Sequence, residues 1–315
     1  MSQLVEAPFA RKHSAPAESS VVVVGNVRNC GKWIAKTIEE LRAALSCFKD
    51  IQWLLVESDS DDDSRVQLAR LAKRIDRFEV RHLGTLRDRI PLRTERLAYC
   101  RNTYLSEIKA APRYSGVDYV LVVDLDGLTG ALTSAGLASC WERDDWDVCG
   151  ANQRGPYYDI WTLRHPFWSP NDCWEQVRVM TAFGVSKEEA ESAAVYSRMV
   201  EIPEAAAWIE VESAFGGLAV YRRDAIVRGS YGGLSSQGEE VSDHIALHQE
   251  LRDLGYRIFI NPRLVNFVSD RSPDQDTPWQ RVQRNVRDGI KAGLRRLVGE
   301  DGLTRITLLL RRVRG

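Results

Sequence analysis

Val117-Asp118-Tyr119-Val120-Leu121-Val122-Val123-Asp124-Leu125-Asp126-Gly127 is an apolar run that ends abruptly on two carboxylates. A short continuous run rich in Val suits a strand covered on both faces. Ligands of open α/β sheets collect beyond the carboxyl ends of such strands. Asp124 and Asp126 stand two apart and share a face of a regular strand. With a turn beginning at Gly127, both can be aimed at one hard cation, a divalent metal gripping a diphosphate. An Asp-Gly turn that merely closes a strand would use the same letters.

Working outward from that strand, the first half of the chain alternates strand and helix patterns. Residues 21–24 form an apolar strand, and Ile34, Ile38, Leu41 and Leu45 mark one face of a helix over 32–48. Residues 51–56 give a second strand, Ser64 caps a helix running to residue 75, and 78–83 give a third strand. Thr94 opens a helix carrying Leu97 and Leu105, which feeds directly into the acid-tipped strand. Four strands separated by helices call for a mostly parallel sheet with right-handed crossovers.

In the second half, 146–152 and 157–163 read as strands, 171–196 as largely helical and 215–221 as a glycine-bearing strand. A helix over 243–254 stops at Gly255, and a further strand follows at 257–260. No Pro/Ser linker divides the halves. The expectation is one large α/β domain over 20–270, between a flexible leader at 1–19 and a basic helical tail at 271–315.

Composition supports a globular chain: 315 residues, 44% hydrophobic, are enough for a real core. A formal charge of -1 gives no general affinity for nucleic acid. Cys30, Cys47, Cys100, Cys140, Cys149 and Cys173 form no CxxC pair or zinc-like grouping, which points to a reducing, cytoplasmic setting. Residues 1–20 mix charge, Pro, Ala and Ser without an apolar stretch, so they read as neither a signal peptide nor a membrane span.

Polar clusters recur at the expected carboxyl edge of the sheet. After the first strand come Gly25, Asn26 and Arg28, where glycine permits close backbone approach and Arg28 can meet phosphate. After the second come Glu57 and Asp59, placed to bond ribose hydroxyls or base N–H groups, and then Asp61 to Asp63, read as a solvated loop. The helix before the acidic strand begins with Arg93 and Arg96 and carries Arg101 and Asn102 one further turn on, a set that can converge in part on an anion.

Taken in order, several motifs resemble nucleotide-sugar-dependent glycosyltransferases of the GT-A fold, and among these the capsule-associated mannosyltransferases and their bacterial relatives. They are the first strand, Glu57-Ser58-Asp59-Ser60, Arg93-x-x-Arg96-Leu97-Ala98-x-x-Arg101-Asn102, Asp124-Leu125-Asp126, and Trp146-Asp147-Val148-Cys149-Gly150-Ala151 through Tyr158-Asp159-Ile160-Trp161. The likeness runs over residues 21–266.

The resemblance implies a Rossmann-like, mostly parallel sheet flanked by helices. It further implies a donor linked to GDP or UDP, with mannose the first sugar to try, and a saccharide or lipid-linked saccharide acceptor. Asp124 and Asp126 would hold Mn²⁺ or Mg²⁺ against the donor diphosphate, Glu57 and Asp59 would serve the nucleoside, and Arg96 and Arg101 the phosphate or sugar. Leu128 after Gly127 is no part of the family pattern. Ser242-Asp243-His244 resembles the Glu-Asp helix of related transferases, with Asp243 as acceptor base and His244 on the metal, or the two reversed; Glu239 and Glu240 are reserve bases. Glu212, Gly216 and Gly217 resemble an acceptor-side loop, and Tyr158 and Trp161 offer apolar faces to sugar rings.

Two readings compete. Val122-Val123-Asp124-Leu125-Asp126-Gly127 also resembles the first motif of haloacid-dehalogenase-type phosphatases, with Asp124 as nucleophile. That pattern continues with Thr where this chain has Leu128. A non-catalytic sugar-nucleotide-binding scaffold is the other. Beyond residue 280, ten basic residues face three acidic ones, a net of +7, beside Leu303, Ile306, Leu308, Leu309 and Leu310. Such a tail is expected to lie on an anionic membrane surface, placing the enzyme peripherally on the inner face.

Overall fold

The computed structural model describes residues 13–127 and 129–268. The strands are β1 (Ser20–Val27), β2 (Asp50–Glu57), β3 (Phe78–His82), β4 (Tyr119–Val123), β5 (Val148–Arg154), β6 (Ile209–Val211), β7 (Leu218–Arg222) and β8 (Ile258–Val268). The helices are α1 (Ile34–Ala44), α2 (Ser64–Ala72), α3 (Arg93–Ala110), α4 (Ser134–Ala138), α5 (Cys173–Ala182), α6 (Lys187–Ala194), α7 (Arg223–Ile226) and α8 (His244–Asp253).

All eight strands make one sheet in the order β3-β2-β1-β4-β7-β5-β8-β6. β1 to β4 are mutually parallel, and β5 pairs in parallel with β8. β7 runs against both β4 and β5, and β6 runs against β8. The expected mostly parallel α/β sheet is what the chain forms.

Alternation along the central strands explains the layers. Val22, Val24, Leu54, Val56, Val120 and Val122 meet Ala98, Tyr104, Leu105 and Ile108 of α3 and Leu247 and Leu251 of α8 on one side. Val21, Val23, Leu55, Leu121 and Val123 meet Ile34, Ile38 and Leu41 of α1 and Leu68 and Leu71 of α2 on the other. With both faces covered, successive central positions such as Val21 to Val24 and Val120 to Val123 are apolar, which is why the strands read as runs.

Departures from the sequence reading have local causes. Residues 157–163 are a loop of turns: Tyr157, Ile160 and Leu163 are buried at a spacing of three, so the period is that of a turn and the alternation is coincidental. Ser64 is the first helical residue of α2 and does not cap it; its Oγ accepts the Cys30 N–H at 2.8 Å, while Asp62 Oδ1 takes the Ser64 N–H at 2.9 Å. The short β6 carried no readable pattern. The segment ahead of β1 packs from residue 13 onward: His13 stacks on Trp146 at 4.2 Å, and its Nε2 lies 3.0 Å from the Trp146 carbonyl. The tail at 271–315 and its membrane role lie outside the described residues, among which no helix is long and apolar enough to cross a membrane.

Candidate functional site

Parallel β1 and β4 end side by side, and the reversed β7 begins beside the end of β4, with Val123 opposite Leu218. The Asp124 N–H donates to the Gly217 carbonyl at 2.9 Å, tying the acidic tip to the turn that precedes β7. Gly216 and Gly217 have φ of +68° and +83°, and a Cβ would fall 2.6 Å from the Ala151 carbonyl oxygen at the first and 2.6 Å from the Tyr158 hydroxyl at the second. Both positions therefore demand glycine for packing alone.

Gly25 is equally constrained, since a Cβ there would lie 2.5 Å from the Val123 carbonyl oxygen. Gly25→Ala is expected to push β1 off the tip of β4 and lower stability by about 1–3 kcal/mol, the range for overpacking. A shift of the urea midpoint at unchanged slope measures it.

The cleft above this edge has a volume of about 300 Å³. Asn26, Arg28 and Cys30 reach it from the end of β1, Arg93, Thr94, Leu97 and Arg101 from the start of α3, and Asp124 and Asp126 from the tip of β4. Tyr158, Asp159, Trp161 and Thr162 come from the 157–163 loop, Phe215 from the turn before β7, and Ser242, Asp243 and His244 from the start of α8. A side lobe runs from Asn26, Arg28, Arg93 and Leu97 to Ser58, Asp59, Arg96 and Cys100.

At the centre is Arg101, 4% exposed. Its Nε donates to Asp243 Oδ2 at 2.5 Å and its Nη2 to Asp124 Oδ1 at 3.2 Å, and the guanidinium lies 5.2 Å from the Phe215 ring. A planar fork suits two such carboxylates. The Asp124 side chain is 38% open to the cleft. Desolvation of its inner part pushes the carboxyl up to about 7, against the pull of Arg101 and with the help of Asp126, Asp159 and Asp243. Burial also raises the Asp126 carboxyl, and Arg93 opposes it.

Behind Arg101 lies a buried polar chain. Tyr104 and Tyr231 hydroxyls are 3.2 Å apart, Tyr221 Oη is 3.4 Å from His244 Nδ1 and 2.8 Å from His248 Nε2, and His248 Nδ1 is 2.8 Å from Ser213 Oγ. Burial drives the His248 imidazole down to about 3 and that of His244 well below its usual range, so both are neutral. His248 is a fully bonded core residue. His244 Nε2 is buried without a partner.

The candidates sort by location. Asn26, Arg28, Arg93, Arg101, Asp124, Asp126, Tyr158, Trp161, Asp243 and His244 line the main cleft, and Asp59 and Arg96 the side lobe. Asp59, at φ 57°, spends Oδ1 on the Leu86 and Arg87 N–H groups at 2.9 and 3.0 Å. Arg96 donates to the Ile90 and Pro91 carbonyls.

Others are engaged elsewhere and line neither cavity. Glu57 is fully buried and bonded by Arg65 at 2.8 Å and His82 at 2.9 Å; burial would raise its carboxyl, but the bonds from His82, Ser60 and Arg65 hold it below the usual range. Asn102 clamps the backbone of Tyr231 through both its amide atoms, at 2.8 and 2.9 Å. Glu212 pairs with Arg252 at 3.4 Å. Glu240 Oε2 accepts the Thr94 N–H at 2.8 Å and the Thr94 hydroxyl at 3.0 Å, a carboxylate serving as a remote cap for α3.

Glu240→Gln should therefore cost about 1 kcal/mol, the worth of a cap, and leave turnover intact. Loss of turnover at unchanged melting temperature would make Glu240 a base after all.

Asp159 was not singled out from the sequence. Read as a strand, 157–163 sets Tyr158 and Asp159 on opposite faces. The turns that bury Tyr157, Ile160 and Leu163 instead send Tyr158, Asp159, Trp161 and Thr162 together to the cleft.

Among the described residues no three of His, Cys, Asp and Glu gather closely enough to hold a metal ion. The set Asp124, Asp126 and His244 is not assembled as a cage. Two carboxylates at the strand tip still suit Mg²⁺ or Mn²⁺, since such ions are commonly held by one or two carboxylates together with substrate phosphates. Asp126 is exposed and the Asp124 side chain is 38% open, so oxygens of both are accessible in the cleft.

The site is thus a cleft at the carboxyl edge of an open α/β sheet, with arginines at one end, carboxylates in the middle and aromatic rings at the other. No family model matches the chain, and no curated protein does. Solved structures do. A mannosyltransferase from Pyrobaculum calidifontis in complex with GDP-Man and Mn²⁺ matches at 16% identity and a TM-score of 0.47, over 88% of this chain and 65% of that one. Mannosyl-3-phosphoglycerate synthase from Rubrobacter xylanophilus matches at 15% and 0.39, over 89% and 76%. Glucosyl-3-phosphoglycerate synthase from Mycobacterium tuberculosis with UDP matches at 12% and 0.38, over 84% and 76%. The chain spans just under two thirds of the length of the first of these.

Proposed function

We propose that this protein is a glycosyltransferase that moves a hexose from a nucleoside-diphosphate sugar to a saccharide or lipid-linked saccharide, with a divalent ion at the strand tip. The observation that carries the reading is the gathering, in one cleft, of Asp124 and Asp126 with Arg28 and Arg93. A diphosphate fits between a cation held by the carboxylates and the guanidinium groups. The order of motifs along the sequence supports the same assignment, and GDP-mannose is the first donor to test.

Departure of a nucleoside diphosphate builds negative charge, which a bound Mn²⁺ or Mg²⁺ would neutralise. Asp124 and Asp126 would hold that ion. Arg93 and Arg28 orient the phosphates from the same cleft, and the side lobe beside Asp59 and Arg96 takes the nucleoside. Tyr158 and Trp161 present ring faces to a sugar. Asp243, the acid at the start of α8, faces the same space, held in place by Arg101. Glu57, Asn102, Glu212 and Glu240 have no part in this arrangement.

A thermal-shift screen of GDP, UDP and their sugar conjugates, with and without Mn²⁺, tests the reading, because a ligand that binds only the native state raises the melting point. The expected result is a rise for one nucleotide that needs the metal. Donor-independent release of free phosphate from a generic phosphoester would replace the transferase reading with the phosphatase one.

A further inference from the structure

Charge is distributed unevenly along the cleft. The exposed arginines, Arg28 and Arg93, reach it from β1 and α3. The opposite end is built by Tyr158, Asp159, Trp161, Thr162, Phe215 and His244, and its charged groups are Asp159, Asp243 and Asp124. Arg101, the cation in contact with that end, is buried and already divided between Asp243 and Asp124.

Asp159 differs from its neighbours in how it is held. Among the described residues it has no ion-pair partner; the Gly216 N–H reaches Oδ2 at 3.0 Å, the Thr162 N–H reaches Oδ1 at 3.4 Å, and the Thr162 hydroxyl adds a side-chain bond. These fix the carboxylate and leave lone-pair sites over, since an ionised carboxylate accepts about four bonds and donates none. In the same wall, Trp161 carries a buried Nε1–H with no partner.

We infer that Asp159 is a specificity-determining residue that anchors hydroxyl groups of an uncharged sugar and, together with Asp243, turns anionic acceptors away. This rests on the glycosyltransferase reading and narrows its acceptor to a class. A sugar hydroxyl gives its proton to a carboxylate oxygen and so fills a lone-pair site that the fold leaves open. A phosphate or carboxylate on the acceptor offers the Asp159 oxygen no proton and adds like charge beside Asp159 and Asp243, at an end where, among the described residues, Arg101 is the cation and is already paired.

Purified protein, GDP-mannose and Mn²⁺ are assayed with methyl mannoside and with mannose 6-phosphate, two acceptors that share a ring and differ in charge. The wild type is expected to use the neutral sugar with at least tenfold higher kcat/KM. Asp159→Asn keeps an oxygen for the Gly216 N–H and so spares the loop. It should cut that discrimination at least tenfold by raising the KM for methyl mannoside, with donor KM within twofold and the melting temperature unchanged. A wild type that prefers the phosphorylated sugar, or an unchanged ratio in Asp159→Asn, overturns the inference.

If no acceptor elicits nucleoside diphosphate release, it is the transferase reading that falls. Saturation-transfer NMR with the same two sugars then tests the pocket directly: neutral-sugar binding lost in Asp159→Asn sustains the inference, and binding that survives ends it.

Discussion

Replacing Arg101 with Met should abolish turnover and cost the fold about 3–5 kcal/mol, because removing one member of a buried charge set strands the others. Asp243 and Asp124 would keep their carboxylates in the recess without the guanidinium that now bonds both. Chemical denaturation reads the stability loss, and the release of nucleoside diphosphate reads the activity. Arg101→Lys is the informative companion: it restores a charge but not a fork, so it should regain part of the stability and little of the turnover. If Arg101→Met melted like the wild type and retained donor binding, Arg101 would be no more than a peripheral contact, and the central arrangement of the site would be misjudged.

Asp126→Ala should lower turnover by at least 10³-fold, the loss typical of removing a principal electrostatic partner in catalysis, while the melting curve stays close to that of the wild type. Asp126 is exposed at the strand tip and, among the described residues, its carboxylate bonds only its own backbone. EDTA should reproduce the effect in the wild type, and added Mn²⁺ should reverse it there and fail to do so in the variant. Full activity in EDTA, or in Asp126→Ala, would remove the metal from the proposal. A melting temperature that rises with Mn²⁺ plus nucleotide in the wild type and not in the variant would tie the loss to ligand binding.

The fold was legible where burial alone sets the pattern. The runs at Val21 to Val24 and Val120 to Val123 are covered on both faces, so every residue reports the same environment and the strands announce themselves. The loop at 157–163 was not legible, because its aromatic residues mimic a strand and the spacing of the buried ones becomes clear only when the core is seen. The site divides in the same way. Asp124, Asp126, Arg93 and Asp243 sit at ends of elements, where a sequence pattern points directly to a position in space.

Glu57, Asn102 and Glu240 look equally chemical in the sequence, but their partners, Arg65 and His82, Tyr231, and Thr94, are set by packing between distant segments. A polar residue that holds the framework and one that waits for a ligand use the same atoms. Only the count of bonds already made tells them apart.

The reversed strand β7 has a consequence for how the polypeptide emerges from the ribosome. β4 exposes its outer edge as soon as Val123 is made, and the strand that seals it, Leu218–Arg222, is translated only much later. β5 cannot join the growing sheet in the meantime, since its own neighbour on that side is again β7. The nascent protein thus holds a four-stranded platform with a raw border while a long stretch is synthesised, and chaperone occupancy or stalled-chain aggregation should peak in that interval and collapse once residue 222 clears the exit tunnel.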